Sequence, residues 1–220
     1  MPIKILYEDD CYIAFDKPSG LLVIPTPQQE RHTLTHIVNE TFWDKKNPGR
    51  LYPCHRLDRE TSGVILYAKG KKHQQLMMAE FFQRRVKKKY IAFLNGHIKP
   101  SQGEMRSRIK DIDQRKFKRH TPPLLAITRY RVTQYRKRFC VVEAYPLTGR
   151  TNQIRIQCSE GGFPILGDRK YAIARNFLLK FKRTALHASE LRFAHPVYHR
   201  ETRIMSPLPQ DMEDFLNQHR

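Results

Sequence analysis

Short apolar stretches that alternate with polar residues run through most of the chain, and this pattern predicts strands. In chain order the stretches are IKILYEDD, CYIAFDKPSG, LLVIP, LYPCHRL, GVILYAK, KKKYIAFLNGHI, AITRYRVTQY and RFCVVEAYPL. A turn at Asp9 and Asp10 separates the first two, and the last two predict a hairpin around RKR. DRETSG predicts a loop between LYPCHRL and GVILYAK.

A spacing of three to four residues replaces this alternation in a few places and predicts helices. The longest of them, KKHQQLMMAEFFQRRV, places Leu76, Ala79, Phe82 and Val86 on one predicted apolar face. Three shorter helices are predicted at TLTHIVNETFW capped by Thr33, at TGRTNQIRIQCSEGG after a cap-like Thr, and at PQDMEDFLNQ with Pro209 and acids in its first turn.

Predicted strands outnumber predicted helices, and several neighbouring strands suit antiparallel pairing. The pattern therefore favours an α+β fold with a mainly antiparallel mixed sheet flanked by helices. The charge-dense stretch 104–125 is the strongest candidate for an irregular or inserted segment, since it ends in Pro122 and Pro123. With 220 residues and no repeat or long linker, we expect one domain over residues 1–220.

Positive charge changes this picture most. Lys and Arg number 41 against 21 Asp and Glu, a formal net charge of +20, and the isoelectric point is about 10.1. Such a balance predicts a nucleic-acid partner without saying which nucleic acid. Single basic runs are usually solvated surface, but here there are four runs with Phe or Tyr within or beside them, and these aromatic residues can stack on bases. The runs are RRVKKKY at 84–90, RKFKRH at 115–120, RKR at 136–138 and KFKR at 180–183.

Several other classes of protein are disfavoured. The four cysteines are far apart in sequence, which argues against a disulfide framework or a zinc site and favours a reduced, cytoplasmic setting. No apolar stretch approaches the roughly 18 residues needed to cross a bilayer, so no membrane partner is expected. His32 and His36 have a spacing of four, but no metalloprotease Glu accompanies them. We expect no metal, and the lack of a phosphate-binding glycine loop predicts no nucleotide cofactor.

Asp58, in HRLDRETSG, lies between Arg56 and Arg59. Neighbouring guanidinium groups favour an ionised carboxylate. One interpretation is a structural ion pair that fastens the loop to the sheet. The other is an activated acid that acts as nucleophile or general base.

Several ordered motifs resemble the RluA-type pseudouridine synthases, which isomerise uridine in RNA. HRLDRETSGVILYAK resembles the central motif of that family, and the likeness extends from residue 5 to about residue 213. The other matching segments, in order, are FDKPSGLLVIP, KKKYIAFLNG, PLTGRTNQIRIQ, GFPILGDRKY, ALHASELRFAHP and SPLPQDM. The fold implied is the pseudouridine synthase catalytic domain, with a central catalytic cleft.

The resemblance implies roles for individual residues. Asp58 matches the catalytic aspartate, Tyr90 the tyrosine that packs against the target uracil, and Arg155 the arginine that pairs with the catalytic carboxylate. Arg56 matches an arginine that fills the gap left by the flipped base in some members. In two places the chain departs from the family, because Asn152 and Gln157 stand where His is usual.

The resemblance also bears on partners and cofactors. The reaction rearranges atoms within uridine, so neither cofactor nor metal is implied. The catalytic pattern begins near residue 5, which leaves no room for the S4-like module of longer members, and RNA affinity must then come from the catalytic domain. We expect a monomer that acts on tRNA, large-subunit rRNA or both. The candidate RNA contacts are Arg150, Lys87, Lys88, Lys89, Lys116, Lys118 and Arg119.

Two other classes of function remain open at the level of sequence. A catalytically silent RNA-binding or ribosome-assembly protein could keep this fold, although Asp58, Tyr90 and Arg155 are all present. A glycoside hydrolase or nucleosidase could use Asp58, but Glu60 is a weak second carboxylate and the charge suits a polyanion better. The sequence also leaves open whether Asp58 attacks C1′ or takes a proton from the ribose.

Overall fold

The computed structural model describes residues 3–26, 30–42, 50–110, 122–172 and 179–219, and within them ten strands form a mixed sheet flanked by four helices. The strands are β1 Ile5–Glu8, β2 Tyr12–Lys17, β3 Leu51–Pro53, β4 Ser62–Lys69, β5 Lys87–Asn95, β6 Gln102–Ile109, β7 Leu124–Tyr135, β8 Phe139–Pro146, β9 Leu186–Ala194 and β10 Glu201–Met205. The helices are α1 Leu34–Thr41, α2 Lys71–Phe82, α3 Gln153–Glu160 and α4 Gln210–Gln218. The predicted fold class is confirmed.

The chain divides into two compact units, Met1–Lys88 with Ala188–Leu208, and Lys89–His187 with Pro209–Arg220. In the first unit β1, β2, β4 and β9 follow one another in the sheet, β3 pairs with β4, and β10 pairs with β9. Gly63, at the start of β4, has φ of +111°, and a Cβ there would lie 2.2 Å from the carbonyl oxygen of Ala188. Only glycine therefore fits at the last position of DRETSG.

In the second unit the strand order is β5, β8, β7, β6, and each neighbouring pair is antiparallel. The predicted hairpin around RKR is confirmed as β7 and β8. Phe215 of α4 packs against Phe93 and Phe139 on one face of this sheet, with ring centroids 6.0 and 5.3 Å apart. α3 packs against β6 and β8.

All four cysteines are buried: Cys11, Cys54, Cys140 and Cys158. Burial raises the pKa of Cys158 to about 12 and also raises the pKa of Cys54 and Cys140. All four contribute to the apolar core as small side chains.

The predicted apolar face of α2 is wrong. Met77 is fully buried there, whereas Leu76 is 38% exposed and Phe82 88% exposed. Polar contacts set the rotation of the helix, because Tyr12 Oη donates to the His73 carbonyl and Gln74 Nε2 donates to the Pro53 carbonyl. Val86 is buried but lies beyond the end of the helix.

Other local predictions also need correction. Residues 104–109 belong to β6 and residues 124–125 to β7, and residues 111–121 lie outside the described part of the chain. Asn152, with φ of 55°, occupies the N-cap position of α3 without a side-chain capping hydrogen bond. The predicted Thr cap is wrong, since Thr148 Oγ1 donates to the Gln153 side chain. LLVIP contributes one isolated bridge and no strand, and the hairpin of β9 and β10 was not predicted. Thr33 does cap α1 as predicted.

Candidate active site

Asp58 is half-buried in the loop between β3 and β4, and backbone contacts fix that loop. The amide of Thr61 donates to the Asp58 carbonyl at 3.1 Å, which closes a turn immediately before β4. Ser19 Oγ donates to the Glu60 carbonyl at 2.7 Å, and the Gly20 amide donates to the Arg59 carbonyl at 2.8 Å. The loop is therefore attached to the KPSG turn, 40 residues earlier in the chain.

Lys17 joins these two segments from the inside. Its side chain is fully buried, and Nζ donates to the carbonyls of Pro18 at 2.8 Å, Leu21 at 2.7 Å and Arg59 at 3.1 Å. Three carbonyl dipoles directed at one ammonium compensate for its removal from water. The sequence analysis missed Lys17, although the KPSG segment was among the family-like motifs and could have drawn attention to it.

The two arginines beside Asp58 have different surroundings. Arg59 Nη2 donates to Glu30 Oε1 at 3.0 Å, so its charge is engaged by that carboxylate. Arg56 is exposed to solvent. The sequence alone placed both charges beside Asp58, but neighbouring residues in an irregular loop point in different directions. Arg56 retains the exposure that a role in contacting RNA requires.

His55 comes three residues before Asp58 but is unsuited to acid–base work. Its Nε2 accepts the backbone N–H of Leu66 at 3.0 Å, and its ring packs on Phe81 with centroids 4.8 Å apart. Burial, with a smaller contribution from Lys88, lowers the pKa of His55 to about 3. At neutral pH this imidazole is uncharged and its accepting nitrogen is occupied.

Arg155, on α3, makes a buried bidentate ion pair. Its Nε donates to Asp168 Oδ2 at 2.7 Å and its Nη2 donates to Asp168 Oδ1 at 2.9 Å. Asp168 Oδ1 also accepts the amides of Lys170 and Tyr171. Burial alone would raise the pKa of Asp168, but the hydrogen bonds and charge of Arg155 lower it below its usual value. Sequence reasoning missed Asp168, although GFPILGDRKY was among the motifs.

The two departures from the family pattern have clear local roles. Asn152 Oδ1 accepts from Arg155 Nη1 at 2.8 Å, so Asn152 helps to orient the guanidinium group. Gln157 is buried, accepts from Thr128 Oγ1 at 2.6 Å and donates to the carbonyls of Met105 and Ala126. The amide of Gln157 thus joins α3 to β6 and β7.

Arg150 precedes α3 and does not belong to it, since the helix begins at Gln153. The helix predicted at TGRTNQIRIQCSEGG therefore starts later than expected and includes Arg155 but not Arg150, and Arg155 is the more buried of the two. Arg150 is half-buried, and its Nε lies 3.5 Å from the Leu125 carbonyl.

The predicted lysine contacts have three separate environments. Lys87 is exposed at the start of β5. Burial and the nearby charge of Arg84 lower the pKa of Lys88 to about 8. Lys89 Nζ lies 3.7 Å from Glu143 Oε1. The remaining predicted contacts, Lys116, Lys118 and Arg119, lie outside the described residues.

Tyr90 is half-buried and pairs with Ala144 across β5 and β8.

Asp9, Cys11 and His195 are the one group of potential metal ligands that comes together within the described ranges. Asp9 Oδ1 accepts the amides of Cys11 and Tyr12, and Asp9 Oδ2 lies 3.0 Å from His195 Nε2. His195 Nδ1 accepts the amides at positions 197 and 198. These hydrogen bonds use the lone pairs a metal would need, and they connect the turn after β1 to the loop after β9.

Across the described segments, no helix has the length and apolar character to cross a membrane.

The chain resembles known RNA pseudouridine synthases. Residues 11–160 match the family model described as RNA pseudouridylate synthase. The chain is 35% identical to the Dual-specificity RNA pseudouridine synthase RluA of Pasteurella multocida over 204 residues, which cover 89% of this chain and 88% of that protein. It is 34% identical to tRNA pseudouridine synthase C of Haemophilus ducreyi, with 99% of this chain and 96% of that protein covered.

Among solved structures, the chain resembles Human RNA Pseudouridylate Synthase Domain Containing 4. The TM-score is 0.81 at 27% identity, with 97% of this chain and 92% of the human chain covered. Ribosomal large subunit pseudouridine synthase D of Xanthomonas campestris is a longer relative, 32% identical, of which this chain covers 69%.

Proposed function

The chain belongs to the RluA-type RNA pseudouridine synthases, isomerases that convert uridine in RNA to pseudouridine, and on this premise we propose that Asp58 is its catalytic carboxylate. The observation that carries the proposal is the attachment of the Asp58 loop through Lys17, whose ammonium binds the carbonyl of the residue next to Asp58. A catalytic carboxylate must be placed within a fraction of an ångström, and a buried clamp of this kind supplies that rigidity.

The reaction breaks the C1′–N1 bond of uridine, turns the uracil and joins its C5 to C1′. The proton on C5 is then removed and N1 gains a proton, which restores the base without net loss or gain of atoms. Asp58 assists as an anion, either by attack on C1′ or by removal of a proton from the ribose. Both routes conserve atoms and electrons, and neither needs an oxidant or a cofactor. A half-buried carboxylate suits both, because it is close enough to the surface to reach a ribose in RNA.

The remaining roles follow from the same family membership. We propose that Tyr90 packs against the target uracil, that Arg56 fills the space left by the flipped base, and that Arg155 keeps the catalytic carboxylate ionised. A uridine inside a stack has to be extruded before chemistry, so an inserted side chain and an aromatic platform are both needed. In support, Arg56 is exposed, and Arg155 is held by Asp168 and Asn152.

For the substrate, we propose tRNA, large-subunit rRNA or both. Relatives named for dual-specificity, tRNA and ribosomal large-subunit activity have 32–35% identity to this chain. A net charge of +20 supports phosphate binding by several surface lysines and arginines. We further propose that the protein is a monomer in a cytoplasmic setting, and the four buried cysteines without disulfides support that setting.

Replacement of Asp58 tests the proposal. Asp58→Asn is nearly isosteric, so the variant should fold and bind RNA while pseudouridine formation falls by several orders of magnitude. Uracil-labelled tRNA and rRNA are incubated with parent and variant, and pseudouridine and released uracil are quantified. Turnover by Asp58→Asn within a few-fold of the parent would exclude Asp58 as the catalytic group. Released uracil from the parent would indicate a nucleosidase, and neither product would indicate a silent RNA-binding protein.

A further inference from the structure

One face of the second unit's sheet carries exposed arginines on β6 and β7, next to charged residues on β5 and β8. Strand register places Glu104 opposite Arg129 and Arg131 opposite Glu143. Because side chains alternate along each strand, residues two positions apart share a face. We call this set the arginine face: Lys89, Arg106, Arg108, Arg129 and Arg131, with Glu104 and Glu143 among them.

The acidic groups of the arginine face lie beneath its arginines. Glu104 accepts from Arg106 Nε at 2.6 Å and from Arg129 Nε at 3.3 Å. The two arginine side chains are each 67% exposed, whereas the Glu104 side chain is 24% exposed. Glu143 is likewise 16% exposed under Arg131, which is 63% exposed. A partner approaching this face therefore meets guanidinium groups first.

The charges of the arginine face do not cancel. Five cationic side chains accompany two carboxylates, and each carboxylate is shared by two cations. Glu104 engages both arginines through Nε, which leaves their terminal amino groups toward solvent in side chains two-thirds exposed. Shared carboxylates also hold the arginines in place, so less side-chain entropy is lost when an anion binds.

This surface is separate from the face that carries Tyr90. Tyr90 pairs with Ala144, and Ala144 pairs with Tyr130, whereas Glu143 belongs to the adjacent register position and points the other way. β6 is the last strand in this unit's order, so an extended RNA that contacts the Tyr90 face can reach the arginine face around that edge.

We propose that the arginine face is a second docking surface for the phosphate backbone of the RNA substrate, outside the target uridine. Planar guanidinium groups bind phosphate oxygens in pairs, and several of them on a rigid sheet match a chain of phosphates. An acidic protein would meet the same charges, but the family function supplies a polyanion that is already a partner. The inference rests on the proposed function, since it concerns that same RNA.

The test uses the double variant Arg106→Gln with Arg129→Gln in the full chain. Affinities for tRNA and for a large-subunit rRNA transcript are measured across a range of salt concentrations. We expect affinity to fall on the order of tenfold and the log–log salt slope to become shallower by about 1.5, since each phosphate contact contributes about 0.7–0.9. An unchanged slope with both RNAs overturns the proposal.

The matched control is Arg192→Gln with Arg203→Gln. These two arginines also lie on paired strands, bind Glu201 and Glu190 and are exposed, so the control removes the same net charge. Affinity and slope should stay close to those of the parent. An equal loss of affinity in the control would mean that only total charge matters, and it would overturn the proposed docking surface.

A third variant, Glu104→Gln, should change RNA affinity in the opposite direction, so the test does not depend on a loss of binding. Removal of the shielded carboxylate should strengthen RNA binding several-fold, and weaker binding would contradict the proposal. Pseudouridine is measured separately with the parent chain. Its absence would count against the proposed function, whereas the salt slopes alone judge the arginine face.

Discussion

The Asp58 loop and Arg155 are both fixed in place, but by different chemistry. A buried ammonium, Lys17, fixes the Asp58 loop through backbone carbonyls, which carry no net charge. Arg155 is fixed by another ionised side chain, Asp168. A missing ammonium leaves neutral carbonyls without a donor, whereas a missing carboxylate leaves a buried charge. The two regions should therefore differ in their tolerance to substitution and in their response to pH.

Asp168→Asn should produce the largest loss of stability. The substitution leaves Arg155 buried beside a neutral amide, and an uncompensated charge of this kind costs about 3–5 kcal/mol. Denaturant unfolding measures the loss. Asp211→Asn is the matched control, because Arg183 binds Asp211 in the same bidentate way while the Asp211 side chain is 47% exposed. The control substitution should lower the free energy of unfolding by about 1 kcal/mol or less. Equal losses in the two variants would show that burial of the ion pair does not determine the cost.

Lys17→Met should have a smaller effect on stability and a clear effect on rate. Three carbonyls lose a charged donor, for which we expect about 2–3 kcal/mol because some of them can be rehydrated. The single-turnover rate at saturating RNA should fall as the Asp58 loop loosens. Lys69→Met, which removes an exposed pair with Glu8, serves as control. A Lys17→Met protein with the parental rate would show that this clamp does not position Asp58.

The pH dependence of stability should separate the two regions. Burial depresses the folded-state pKa of His55 to about 3 from its usual 6.5, so its contribution is complete above pH 6.5 and is lost as pH falls toward 3. The lowered pKa of Asp168 acts only at lower pH, with loss beginning below its ordinary value of 3.8. His55→Gln keeps an acceptor for the Leu66 amide. Between pH 6.5 and pH 3 it should reduce the slope of the unfolding free energy against pH by at most about 1.4 kcal/mol per pH unit. Urea titrations from pH 7 to pH 3 provide the measurement, and an unchanged upper window would contradict this assignment.

Arg150→Leu should have the smallest effect on the fold. Arg150 lies outside α3 and its closest side-chain contact is a long one to a carbonyl, so stability should change by about 0.5 kcal/mol or less. RNA affinity should fall by a few-fold. Arg155→Lys is the informative partner, because an ammonium cannot reproduce the fork that grips Asp168. Greater loss of melting temperature and single-turnover rate in Arg150→Leu than in Arg155→Lys would reverse the roles of the two arginines.

Local sequence patterns predicted the features of the fold that depend on residues close together in the chain. Alternation located the hairpin of β7 and β8, and Thr33 marked the start of α1. Asp58 was correctly placed on a loop between two strands, because DRETSG contains turn-forming residues between apolar stretches. The family motif pointed to Arg155, but not to Asp168, the carboxylate that Arg155 binds.

Contacts between distant positions could not be predicted in this way. Lys17 donates a hydrogen bond to the carbonyl of Arg59, which is 42 residues away in sequence. The KPSG segment itself contains no pattern that predicts a buried lysine. The rotation of α2 depends on Tyr12 and on Pro53, neither of which belongs to the helix. The arginine face escaped notice because its four arginines alternate with other residues along β6 and β7 and belong to none of the basic runs, and only its Lys89 falls in one, RRVKKKY.

The buried cysteines have a practical consequence for spectroscopy. Thiol reagents attack the thiolate at an accessible sulfur, and burial disfavours both conditions here. A cysteine introduced at an exposed position, such as Arg108 or Arg192, would therefore be the preferred site for a fluorophore or spin label in the otherwise natural chain. Labels on the arginine face and on its control strands could then report where RNA docks without any native cysteine being replaced.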